Sequence, residues 1–163
     1  YELMDEKKSY QKACIGIVKK RVYATIEGLG IKVDENPNFD WYYGIIDLEF
    51  WLKKYVDADC VAWIRKNIHP LDIVFRLAED YGTVLLNGGG FEAPDWSVRV
   101  SFANLDDHVY DDIGRAVRAI ARGYVQAYES AKGSPLAGGK VKPKALPRPV
   151  TKAKKKAGAR KAR

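Results

Sequence analysis

Apolar residues recur at intervals of three and four between Leu3 and Leu29, with charged residues at the positions between them. This spacing puts the apolar side chains on one face, because an α-helix has about 3.6 residues per turn. The pattern predicts one long amphipathic helix that Gly28 or Gly30 closes. Its apolar face consists of Tyr10, Cys14, Ile17, Val18, Val22 and Ile26.

The pattern changes after the break at Asn36-Pro37-Asn38. The segment from Trp41 to Leu48 is rich in aromatic and β-branched residues and predicts a strand. Three shorter helices follow, and the third has Pro70 in its first turn and Gly82 at its end. We predict these helices over Phe50 to Tyr55, Ala58 to Ile68 and Leu71 to Tyr81.

A run of three glycines separates two further predicted strands, Thr83 to Leu86 and Trp96 to Ala103. The glycines Gly88, Gly89 and Gly90 could cradle a phosphate or form a tight turn. We favour the turn, because the lysine and the following helix of a phosphate-binding loop are missing.

The predicted order is helix, strand, helices, strand, strand, helix. It indicates an α/β protein, an α+β sandwich with a small three-stranded sheet covered by helices. Asp106 or Asp107 is expected to cap the last helix, which runs to about Lys132. We expect one domain over residues 1–132 and a disordered, Lys/Arg-rich tail over residues 133–163, where the apolar period is lost.

The formal net charge of +7 is unevenly distributed. Residues 133–163 contain eleven Lys or Arg and no acidic residue, so the rest of the chain is slightly acidic. Such a basic tail can bind nucleic-acid phosphates, or it can be a solubilising extension. No charged-then-apolar leader opens the chain and no apolar run is long enough to cross a bilayer, so we expect a cytoplasmic protein without a membrane partner.

The chain begins at Tyr1 without an initiator methionine, and we expect it to be a piece of something longer. We expect no metal, because the two cysteines and two histidines are widely separated. These residues are Cys14, Cys60, His69 and His108. Four carboxylates could be acid–base groups, but helix caps, dipole partners or solvated positions are favoured. They are Asp47, Asp72, Glu79 and Asp80.

Arg99 is the one charged residue in the predicted strand Trp96 to Ala103, where it stands between Val98 and Val100. Alternate residues of a strand face opposite ways, so its side chain either points to water or meets an anion. A guanidinium binds a carboxylate through two parallel hydrogen bonds, which makes a substrate carboxylate a possible partner.

Several motifs in order resemble one enzyme family. The strand and loop Gly-x-x-x-x-x-Gly-Gly-Gly-Phe ends at Phe91, and the next strand reads Ser-Val-Arg-Val-Ser-Phe-Ala-Asn, ending at Asn104. With the segments from Pro70 to Glu79 and Tyr42 to Leu48, they resemble the C-terminal small domain of fold-type I pyridoxal-phosphate enzymes. Bifunctional aspartate aminotransferase and L-aspartate 4-decarboxylase is the closest likeness, from about the first helix to Lys132.

The resemblance implies an enzyme that uses pyridoxal 5'-phosphate and L-aspartate, and it makes Arg99 the residue that binds the substrate α-carboxylate. It also implies a large domain that holds the Schiff-base lysine and the cofactor, and a dimer partner subunit. No lysine of this chain occurs in the family's Ser-x-x-Lys setting, so we expect no catalytic residue here and no activity from this chain alone.

The glycine run is a possible active-site loop by the same resemblance, and Ser101 and Asn104 could support Arg99, although Asn104 could equally cap the last helix. Asn87 stands where the family usually has proline, and asparagine tolerates left-handed backbone. Two alternatives remain: a fragment whose basic tail binds nucleic acid, or one whose body only mediates oligomer assembly.

Overall fold

The computed structural model describes residues 2–34, 36 and 38–133, and within them it is a mixed helical and sheet structure. The helices are α1 (Glu2–Leu29), α2 (Leu48–Tyr55), α3 (Ala58–Asn67), α4 (Asp72–Tyr81) and α5 (Val109–Lys132). The strands are β1 (Tyr43–Asp47), β2 (Leu86–Asn87) and β3 (Ser97–Ser101), and a 3₁₀ turn, Gly88–Phe91, follows β2. This confirms the predicted fold class.

Local capping explains four of the helix ends. The Asp47 and Asp57 side chains accept hydrogen bonds from backbone N–H groups in the first turns of α2 and α3. Gly30 and Gly82 follow α1 and α4 with positive φ angles of 67° and 63°, a conformation that glycine adopts without strain. The glycine stops predicted for these two helices are confirmed.

The start of α5 differs from the prediction. The residue before it is His108, and no side chain caps it, so neither Asp106, Asp107 nor Asn104 has the predicted capping role. Asp107 is instead paired with Arg21 of α1, with 2.6 Å between Arg21 Nε and Asp107 Oδ1. The Asp107 carboxylate therefore forms a long-range ion pair instead of a local helix cap.

Three smaller predictions also need correction. Helix α4 begins at Asp72, so Pro70 lies before its first turn. The strand predicted from Trp41 is shorter and begins at Tyr43. The strand predicted over Thr83 to Leu86 is paired only at Leu86–Asn87, so most of that segment is irregular.

The sheet is antiparallel with strand order β1-β3-β2. Ile46, Val98 and Val100 share one face and are buried. The apolar core includes these residues and the inner face of α5, where Ile113 and Ile120 are fully buried. The helices therefore cover one face of the sheet, and β3 is held in the middle by both neighbours.

Helices α1 and α5 pack closely at two glycines. A side chain on Gly114 would collide with the backbone oxygen of Thr25, and one on Gly28 would collide with that of Asp111. The absence of a Cβ at both positions lets the two backbones approach. This crossing fixes α1 against α5.

Two further expectations concern the basic tail and membrane-spanning segments. The predicted basic tail lies outside the described residues, apart from Gly133. In the part of the chain that the structure covers, we find no helix that is both long and apolar enough to span a bilayer.

Candidate functional site

Arg99 lies in the middle of the central strand. Its register partners are Ile45 on β1 and Leu86 on β2. Since directly paired residues share a face, these three side chains lie on the side opposite the buried Val98 and Val100. Arg99 thus points away from the core, and its side chain is half-buried.

We call this side of the sheet the open face, and define it by Tyr43, Ile45, Leu86 and Arg99. Its apolar residues are unusually accessible for a sheet, with exposed fractions of 39% for Tyr43, 45% for Ile45 and 54% for Leu86. A soluble domain seldom leaves such neighbouring side chains uncovered unless something binds there. The open face is therefore the surface through which Arg99 could act on a ligand or partner.

Two aromatic rings contact the Arg99 guanidinium. Its central carbon lies 3.8 Å from the centroid of the Tyr43 ring and 4.2 Å from that of Phe91. These distances are well within the range of cation–π attraction. Among the described residues the guanidinium contacts two rings and no anion, so it matches neither predicted alternative in full: it is not free in water, and it does not meet a carboxylate.

Within the described part of the chain, no carboxylate pairs with Arg99. Among the described residues it takes part in none of the ion pairs or side-chain hydrogen bonds, whereas four other arginines each pair with an acid. Those four are Arg21, Arg65, Arg76 and Arg115. The N–H groups of Arg99 therefore remain available to an anion that comes from outside the described residues.

The glycine run forms a 3₁₀ turn beside this site, and its last residue is Phe91. A Cβ on Gly88 would overlap the Ser97 side chain, and one on Gly89 would lie 2.8 Å from Asp95 Oδ1, but one on Gly90 would meet nothing within 4 Å. The run is a turn, as predicted. Close packing requires a glycine at Gly88, while Gly90 is sterically unconstrained.

The two residues proposed to support Arg99 do not bond to it. Ser101 lies two residues further along β3 on the same face, and its hydroxyl oxygen is buried without a hydrogen-bond partner among the described residues. Asn104 is exposed in the loop between β3 and α5. The structure brings Arg99 together with the glycine turn, through Phe91, and leaves Asn104 apart.

Three of the four candidate carboxylates have structural partners and the fourth, Glu79, is exposed, as the favoured interpretation predicted. Asp47 caps α2, Asp80 pairs with Arg76, and Asp72 accepts a hydrogen bond of 2.8 Å from the hydroxyl of Tyr124. Burial, and then the charge of Asp72, raise the pKa of Tyr124 well above its ordinary value. Within the described residues, no group of three or more His, Cys, Asp or Glu side chains could hold a metal ion.

The described residues do not form a complete site for pyridoxal phosphate. The backbone N–H of Gly89 donates to Asn87 Oδ1, so it is not available to a phosphate. Arg99 lines neither of two cavities of about 260 and 300 Å³, although Ile45 lines the larger one. We therefore assign no cofactor contact to the described residues.

The roles of Tyr43 and Phe91 were missed from the sequence. The alternation of strand residues could have placed Tyr43 on the face of Arg99, once the pairing of β1 with β3 was known. No pattern in the sequence places Phe91 there, because its ring reaches Arg99 through a turn of irregular shape.

Comparison with known proteins identifies the class first: the chain is homologous to part of an amino-acid-converting enzyme. One such relative is the bifunctional aspartate aminotransferase and L-aspartate beta-decarboxylase of Pseudomonas sp., to which the chain is 34% identical over 130 residues. The match covers 80% of this chain and 24% of the relative, so the chain spans about a quarter of that protein's length. It confirms the resemblance predicted from the strand and loop motifs. No protein-family model matches the chain.

Proposed function

We propose that residues 1–132 are the small domain of a pyridoxal-phosphate-dependent aspartate aminotransferase and aspartate 4-decarboxylase, and that Arg99 binds the α-carboxylate of L-aspartate. The homology supports the enzyme class. The observation that carries the role of Arg99 is its position on the open face, half-buried and without an acidic partner among the described residues.

An arginine in this position would orient the substrate. Two parallel hydrogen bonds to one carboxylate fix both its distance and its plane, and so restrict rotation about the substrate Cα. Lysine could supply the charge but not the planar pair of donors. The same anchor would serve transamination and loss of the β-carboxylate, because both start from one bound amino acid.

The remaining chemistry is proposed to come from the rest of the enzyme. Pyridoxal 5'-phosphate supplies an electron sink, and a large domain would hold it together with the Schiff-base lysine. That large domain, with a dimer partner subunit, would cover the open face and exclude water from Arg99. The enzyme would act in the cytoplasm.

The structure favours one of the alternatives more than the other. The exposed apolar residues of the open face fit a segment that assembles with another protein surface, with or without catalysis. Nucleic-acid binding by the basic tail concerns residues outside the described part of the chain and stays a prediction.

The role of Arg99 is tested in the assembled enzyme, made by expressing this chain with the coding region upstream of Tyr1. We expect that region to encode a large domain with a Schiff-base lysine. Arg99→Ala should lower kcat/KM for L-aspartate about a hundredfold, since losing a charge-assisted pair costs about 3 kcal/mol. Arg99→Lys should recover only part of this loss.

Arg122→Ala is the matched control, because Arg122 is an exposed arginine on α5, on the helix side of the sheet. It should leave the kinetics unchanged. An unchanged kcat/KM in Arg99→Ala would overturn the proposed role of Arg99, and an upstream region without a large domain would overturn the proposed enzyme.

A further inference from the structure

We propose that Tyr43 and Phe91 form an aromatic clamp that positions the Arg99 guanidinium for a carboxylate. The clamp rests on the proposed function of Arg99 and adds two positioning residues to it. Neither ring is expected to touch the reacting atoms. Their effect on substrate would pass through Arg99.

The two rings approach Arg99 from opposite sides of its strand. Tyr43 belongs to β1, and Phe91 belongs to the turn that follows β2, while β3 with Arg99 lies between β1 and β2. A guanidinium carbon only 3.8 or 4.2 Å from a ring centroid lies over the face of that ring, because the ring hydrogens would stop an approach in the ring plane further out. In the proposed clamp, both rings stack on the guanidinium plane.

Stacking leaves the hydrogen-bond donors of the guanidinium free. The five N–H groups lie in the guanidinium plane, and an aromatic face occupies the region above or below that plane. A protein carboxylate would hold the cation equally well, but it would occupy the donors that a substrate needs. Aromatic rings thus attract and restrain the cation without competing with a bound carboxylate.

The clamp also reduces the conformational entropy that the Arg99 side chain loses when a carboxylate binds. A free arginine side chain loses much rotamer freedom when it grips an anion, whereas one already held between rings loses less. Removing a ring should weaken carboxylate binding even though the charge of Arg99 remains. Each ring is expected to change the affinity about three- to tenfold, in line with cation–π contacts at partly exposed sites.

The first experiment measures the clamp in the full chain without any cofactor, by NMR of the Arg99 side chain. Protons above aromatic faces are shielded, so the Arg99 Nε–H and Cδ protons should resonate upfield of those of Arg122. Tyr43→Leu and Phe91→Leu should each reduce the upfield shift, and Tyr43→Phe should preserve it. Arg99 signals at ordinary positions, unchanged in both leucine variants, would show that there is no clamp.

The second experiment measures its consequence in the assembled enzyme. Tyr43→Leu and Phe91→Leu should raise KM for L-aspartate about three- to tenfold with little change in kcat, and Tyr43→Phe should restore the original KM. Phe75→Leu, which removes an exposed ring on α4, is the control and should have no effect.

The outcomes separate the clamp from the function on which it rests. If Arg99→Ala impairs the enzyme but the leucine variants bind aspartate normally, the clamp is wrong and the role of Arg99 stands. If Arg99→Ala has no effect, the proposed function itself fails. A fall in kcat with KM unchanged in the leucine variants would also contradict a positioning role in substrate binding.

Discussion

Asn87 ties together the two ends of the glycine turn. Its side-chain oxygen accepts a hydrogen bond of 2.8 Å from Gly89 N–H, and its amide nitrogen donates to the backbone oxygens of Asp95, at 2.9 Å, and Ser97, at 3.4 Å. Its backbone is extended, with φ −68°, so the left-handed tolerance of asparagine is not used. Proline would adopt the same φ, which explains how asparagine can stand where the resembled family usually has proline.

Asn87→Ala should lower the free energy of unfolding by about 1–2 kcal/mol, because it removes a cap and leaves its partners without their bonds. Urea denaturation followed by tryptophan fluorescence measures the change. Asn104→Ala, at an exposed loop position, should change it by less than about 0.5 kcal/mol. Equal effects of the two variants would contradict a special role for Asn87.

At the scale of the elements, the close approach of α1 and α5 determines how these two long helices pack against each other. Gly114 faces the backbone of α1, and an added Cβ would collide with Thr25 O and lie 2.7 Å from Leu29 N. Backbone atoms cannot move aside as a flexible side chain can, so the helices would have to separate. Separation would open the core beside Ile113 and Val117, which are buried next to Gly114.

Gly114→Ala should therefore destabilise the chain by about 2–3 kcal/mol, although alanine is the better helix former. Gly16→Ala is the matched control, since Gly16 is also inside a long helix but nothing lies within 4 Å of its added Cβ. It should stabilise the chain by about 0.5–1 kcal/mol. Thermal and urea unfolding measure whether each variant raises or lowers the free energy of unfolding. Stabilisation by Gly114→Ala would contradict the close crossing of the two helices.

The molecule as a whole is a sheet with helices on one face and an accessible apolar surface on the other. A half-covered sheet of this kind exposes enough apolar area to favour association. The proposed large domain would cover it in the assembled enzyme. In a solution of the isolated chain, the open face of a second copy can cover that of the first.

We expect the isolated chain to self-associate as its concentration rises, measured by sedimentation velocity. The double variant Ile45→Thr, Leu86→Thr should reduce association, because it replaces two exposed apolar side chains of the open face without adding charge beside Arg99. Phe75→Gln, on α4, should associate like the unchanged chain. A chain that sediments as a monomer at all concentrations would contradict an association-prone open face.

Much of the fold follows from local features of the sequence. The period of apolar residues located α1, and Gly30 and Gly82 ended α1 and α4, because each of these signals acts within one or two helical turns. The homology was also readable from ordered motifs around Arg99, and the comparison confirmed it. Short strands were placed less well, since strand length depends on the partner and not on the strand alone.

The sequence by itself determined the approximate positions of the helices, the arginine in the middle of a strand, and the likeness to part of an aspartate aminotransferase and decarboxylase. Only the tertiary structure decided that Asp107 pairs with Arg21, 86 residues away, instead of capping α5. It also decided that Tyr43 and Phe91 meet at Arg99. The physical reason is the same in both cases: contacts between distant segments depend on how the layers pack, and a local pattern does not encode which side chain arrives opposite which.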